Sequence, residues 1–139
     1  MSKLLWSILC KKASIDQASN NVSLFEIVDQ LNLQGPPPGE RILVPAQFDL
    51  ATLWMRSDVD TPESDLARLT IEMPDGEIVE SSTFEVNLAQ AVRHRNILSL
   101  SSLPVHGPGL YYFNIELQEV PGEWKRIHQV PLQVTLSPN

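Results

Sequence analysis

Four carboxylates stand within eight residues of one another, at Asp58, Asp60, Glu63 and Asp65, inside the segment Ser57-Asp58-Val59-Asp60-Thr61-Pro62-Glu63-Ser64-Asp65. Carboxylate oxygens at this density are a donor set for calcium, a hard cation that takes roughly six to eight oxygen ligands. A complete site needs a second acidic loop, and the obvious contributor is Asp75, in a tight turn. Without that contribution the segment is a solvated surface loop whose charges repel one another.

The three histidines, His94, His106 and His128, are scattered, with no i,i+2 or i,i+4 pair to seat a zinc ion. The sequence holds no Gly-x-Ser-x-Gly elbow, no phosphate-cradling glycine loop and no local Cys-His pairing. A hydrolase could arise here only from Ser, His and Asp residues brought together by folding. The expectation is therefore no catalytic residues, no cofactor and no metal, with the carboxylates Asp58, Asp60, Glu63 and Asp65 as the alternative, a calcium or small-ligand site.

Charge is distributed unevenly. The chain of 139 residues carries a formal charge of −7. Residues 49–85 hold ten acidic side chains against Arg56 and Arg68, so this segment nets −8 and the remainder +1. A polyanionic partner, whether nucleic acid or an anionic membrane surface, would be repelled at long range. The acidic side can protect exposed strand edges from pairing between molecules, or it can receive an electropositive partner. Arg93-His94-Arg95 is a small basic knot of opposite sign. It is too small to bind nucleic acid, but it could meet the acidic sector of a second copy head to tail.

The lone cysteine, Cys10, excludes an intrachain disulfide and suits a reducing cytoplasm. It reads as an inert core thiol. The apolar run Leu4 to Cys10 ends in Lys11 and Lys12 and is too short for a signal peptide or a membrane helix.

Period-two alternation dominates, and turn residues interrupt it every dozen or so positions. Leu4 to Cys10 is apolar on both faces, as in a strand inside a sheet. After the turn residues Asp16 to Asn21, a second strand is expected to place Phe25, Ile27, Leu31 and Leu33 on one face. Gln34-Gly35-Pro36-Pro37-Pro38-Gly39 forms an exposed connector, because successive prolines lack amide donors. Phe48, Leu50, Thr52 and Trp54 share a face, and the opposite face carries Ala51, Leu53 and Met55. That strand is expected to be covered on both sides.

Leu69, Ile71 and Met73 line the next strand, which turns at Pro74-Asp75-Gly76. Leu88 to Arg95 is the one stretch read as a short helical turn. Gly107-Pro108-Gly109 precedes the clearest strand, with Tyr111, Phe113, Ile115 and Leu117 on one face. Val120 to Glu123 closes a hairpin. The last strand, Trp124 to Leu136, contains Pro131 and should lie at an edge or carry a bulge there. About eight strands without a long helix predict one all-β domain over residues 1–139, a two-sheet antiparallel β-sandwich.

Gly109-x-Tyr111-x-Phe113 resembles the late strand of immunoglobulin-like sandwiches, where a tyrosine at a corner precedes a core residue by two positions. Phe113 stands where those domains often have a cysteine. Through SLFEIVDQL, PDGE and PGLYYFNIEL with VPLQV, the chain also resembles a group of short bacterial proteins of unknown role. The resemblance implies a compact β-sandwich, immunoglobulin-like or C2-like, that acts through partner proteins. The functional expectation is a non-catalytic cytoplasmic module that binds a protein partner or self-associates, with no nucleic-acid or membrane partner.

Overall fold

Alternating apolar residues produce strands with one wet and one dry side, and the dry sides meet. A computed structural model describes residues 1–34 and 39–137, apart from the side chains of residues 80 and 81. Among the described residues the chain forms nine strands and no helix. These are β1 (Lys3–Ile15), β2 (Val22–Ile27), β3 (Gln30–Gln34), β4 (Ile42–Met55), β5 (Glu63–Glu72), β6 (Ile78–Leu88), β7 (Arg93–Val105), β8 (Gly109–Val120) and β9 (Glu123–Ser137). One sheet has the order β2-β1-β4-β7 and the other β3-β9-β8-β5-β6. All ladders are antiparallel except that between β3 and β9.

The core lies between the sheets. Phe48, Leu50 and Trp54 of β4 face Leu69 and Ile71 of β5 and Tyr111, Phe113, Ile115 and Leu117 of β8, all within one buried cluster. Trp54 meets Phe84 of β6 edge to face, with ring centroids 6.3 Å apart. Its indole nitrogen donates to Thr52 Oγ1 at 2.9 Å, which satisfies the polar end of a fully buried ring. Taken in order, β4 to β9 follow strands B, C, C′, E, F and G of an immunoglobulin-like sandwich: B pairs with E, and C′-C-F-G forms the facing sheet. The expected all-β antiparallel sandwich is the fold of the chain.

Tyr111 occupies the corner between the strands equivalent to E and F. Its hydroxyl donates to the Gly107 carbonyl at 2.7 Å and accepts from the His106 amide at 2.8 Å. This is the tyrosine brace of immunoglobulin-like domains, reached without their disulfide.

Four details differ from the sequence expectation. The strand count is nine because residues 22–34 make two strands in different sheets: β2 pairs with β1, and β3 pairs with β9. The chain crosses between them at Val28 and Asp29, where the Val28 amide reaches Leu9 and the Asp29 carbonyl accepts from Gln133. Glu26, at φ 54°, starts the change of direction. Phe25 and Ile27 therefore do not share a face with Leu31 and Leu33; they are 56% and 63% exposed, while Leu31 and Leu33 pack against the core.

The expected helical turn at Leu88–Arg95 is instead a bend at residues 89–92, because Arg93 already pairs with Met55 and too few residues remain for a helix. Strand β9 is not at a sheet edge, and its bulges lie away from Pro131. However, β3 covers only Gln133 to Ser137, so Pro131, two residues before Gln133, directs its donorless nitrogen to the uncovered side. The Gly35–Pro38 part of the expected proline connector lies outside the described residues; the strands flanking it belong to different sheets.

Candidate functional site

The acidic segment leads into β5. Glu63 accepts from the Ser57 amide at 2.9 Å and the Ser57 hydroxyl at 3.1 Å, and its other oxygen lies 3.5 Å from the Met1 ammonium group. Asp65 accepts from the Ser2 amide at 2.6 Å, and Asp58 accepts from the Asp60 amide at 3.0 Å. The carboxylates of Asp58, Glu63 and Asp65 are thus engaged along the segment, and that of Asp60 does not gather with them. Among the described residues no group of three or more His, Cys, Asp or Glu side chains is placed to hold a metal ion. Asp75 sits beyond the far end of β5, about 30 Å away along a ten-residue strand, so the two acidic loops do not share an end of the sandwich. Asp75 instead accepts from the Glu77 amide and pairs with His106 Nδ1 at 3.1 Å. Those contacts, the amide first, hold its carboxyl below the usual range.

The histidines occupy three separate places. His106 meets Asp75 on an exposed turn. His128 Nδ1 lies 2.9 Å from Ser7 Oγ, joining β9 to β1 across 121 residues of sequence. This Ser-His pair has no hydrogen-bonded carboxylate among the described residues to orient the ring, the role that the third member of a hydrolase triad fills. His94 Nε2 is buried without a hydrogen-bond partner. Cys10 is fully buried, and burial followed by the nearby Asp49 charge raises its thiol pKa.

Two features were not legible in the residue pattern. The first is a cavity of about 650 Å³ on the outer face of the β2-β1-β4-β7 sheet. Register places Trp6, Leu53 and Arg95 in one row across β1, β4 and β7. The β1-β2 hairpin arches over this row, and its tip is clasped when Arg95 Nη2 donates to the Asn20 carbonyl at 2.8 Å. Asn20 takes φ 62°, a left-handed conformation that asparagine tolerates in turns. Ala51, which points away from the core between its cross-strand partners Ile8 and Ile97, is also fully buried. The expected cover on the second side of β4 comes from the same chain. Trp6, Asn21, Val22, Leu53, Arg93 and Arg95 line the cavity.

The second feature is the free edge of β7. This thirteen-residue strand ends its sheet, pairs only with β4, and from Asn96 to Leu103 contains neither charge nor proline. The Val92 carbonyl accepts from the Arg56 amide at 3.0 Å and the Asn96 carbonyl from the Thr52 hydroxyl at 3.3 Å, so the even-numbered residues address β4. Ile97 and Ser99 therefore present their backbone donors and acceptors to the open side.

No helix among the described residues is long and apolar enough to cross a membrane. No family model matches the sequence, and no curated protein matches it. Among solved structures, a β-glucosidase from Listeria innocua in complex with glucose is similar at TM-score 0.47 and 8% identity, over 98% of this chain and 17% of that one. The same enzyme with gluconolactone gives TM-score 0.46 and 10% identity, over 95% and 17%. The chain thus spans about 17% of the length of these enzymes, and so partial a likeness assigns it no activity.

Proposed function

We propose that the protein is a non-catalytic module that binds another polypeptide by adding an extended segment of it to the open edge of β7. The observation that carries this reading is the contrast among the four sheet edges. Exposed edges are normally blunted by shortness, charge or irregularity. Strands β2 and β3 are six and five residues long, and β6 bears Glu85 and pairs with β5 through a register shift. Strand β7 also pairs through a register shift, between Leu100 and Ser102, but from Asn96 to Leu100 it is regular, uncharged and free of proline, and its row of backbone groups offers the ladder that an added strand would complete.

The occupant favoured is a neutral or basic segment of a different protein. Strand β6, in the acidic region, stands beside β7, and two-fold pairing of two β7 strands would set two acidic flanks together. The buried thiol and absence of disulfides suit a reducing, cytoplasmic setting.

The test compares Ser99→Pro, which removes an outward amide, with Ser99→Ala, which removes only the hydroxyl bonded to Asp49. Proteins retained by the native chain and by Ser99→Ala should be lost on Ser99→Pro, with the melting temperature of both variants preserved. Equal retention by both variants, or no retained protein, would overturn the reading.

A further inference from the structure

We infer that the cavity roofed by the β1-β2 hairpin binds a small organic anion, its carboxylate or phosphate held by Arg93 and Arg95 and its apolar body lying on Trp6. The first ground is electrostatic. In a chain of charge −7 the cavity wall carries two guanidinium groups and no carboxylate. The carboxylate of the hairpin turn, Asp16, lies outside the lining and accepts from the Ser19 amide at 2.9 Å.

Strand geometry brings the cations together. Arg93 and Arg95 are two positions apart on the outer face of β7, so their backbones are about 7 Å apart and their side chains leave the same side. Arg93 has no ion pair or hydrogen bond among the described residues, and Arg95 is only partly satisfied. One terminal nitrogen holds the Asn20 carbonyl, while its Nε is shut away from solvent without a partner. Two uncompensated guanidinium groups at this spacing repel, and an oxyanion shared between Arg93 and the terminal nitrogens of Arg95 relieves that repulsion.

The rest of the cavity suits an organic body. Trp6, Val22 and Leu53 supply apolar surface, Asn21 supplies an amide, and the volume of about 650 Å³ falls in the range of small-molecule sites. A bare inorganic ion would leave the indole surface unused. The preferred ligand is therefore planar or aromatic as well as anionic.

The experiment follows the indole resonance of Trp6, identified by its loss in Trp6→Phe, during titration with benzoate, phenyl phosphate, inorganic phosphate and neutral benzamide. Benzoate or phenyl phosphate should shift it saturably, with benzamide silent and inorganic phosphate weaker. The tighter of the two organic anions names the headgroup. Arg93→Gln, which leaves the Arg95–Asn20 clasp in place, should weaken binding by about tenfold or more with unchanged melting temperature. Binding of benzamide as tight as that of benzoate, an affinity insensitive to Arg93→Gln, or no saturable shift at millimolar concentration would each overturn the assignment.

Discussion

Arg95 on β7 donates to the backbone carbonyl of Asn20, 2.8 Å away and seventy-five residues earlier in the chain. This single bond ties the tip of the β1-β2 hairpin to the opposite edge of its own sheet. Arg95→Ala should therefore loosen the tip without unfolding the sandwich. The expected loss is about 1–2 kcal/mol, the range of one hydrogen bond to a charged group at a partly exposed site. Hydrogen exchange checks it: amides of the hairpin tip should exchange faster, while those of β8 stay protected.

The brace at the corner before β8 sets the alkaline limit of stability. Burial, the larger cause, raises the pKa of Tyr111, and burial likewise raises that of Cys10. A folded-state pKa above the unfolded value gives stability that is complete below the unfolded value and is lost as pH rises. Urea midpoints should therefore begin to fall near pH 9, where unfolded thiols and then phenols ionise. Tyr111→Phe removes two hydrogen bonds and should cost about 1–3 kcal/mol at neutral pH, and it should make the alkaline fall shallower.

Gly109 opens β8 at φ 138°, and a Cβ placed there would lie 3.0 Å from Pro74 Cγ. Gly109→Ala meets both an unfavourable backbone conformation and the ring of the neighbouring turn. Its cost should be about 2–3 kcal/mol. Gly122, at φ 83°, faces open space, so Gly122→Ala should cost about 1 kcal/mol. Paired thermal melts of the two variants measure the difference. Equal losses would remove the role given to Pro74.

Calcium should leave the protein unchanged. Glu63 and Asp65 are engaged by Ser57, Ser2 and the Met1 ammonium group, and Asp75 lies at the other end of the sandwich. A melting temperature independent of millimolar calcium is the expected result. An upward shift that grows with calcium concentration would show that these carboxylates can rearrange around the ion.

The residues most legible in the sequence are those whose alternation stays within one strand. Tyr111, Phe113, Ile115 and Leu117 all face the core as their spacing predicts, as do Phe48, Leu50 and Trp54. Period two specifies which side chains share a face, but not the sheet to which a strand belongs. Val28 and Asp29 carry the chain from one sheet to the other without a proline or glycine to mark the change, so Phe25 and Leu33 look alike in sequence and differ in burial. The cavity was hidden for a related reason. Trp6, Leu53 and Arg95 become neighbours only through the pairing of three strands, and Asn20 joins them only because the hairpin folds back.

The parallel partnership of β3 and β9 has a consequence for synthesis. Leu31 pairs with Val134 and Leu33 with Leu136, so the ladder joins segments separated by about a hundred residues. At about 5–20 residues per second, β3 leaves the ribosome roughly 5–20 s before its mate. Throughout that interval Leu31 and Leu33 wait without their partner strand, and the seam closes only when β9 has emerged.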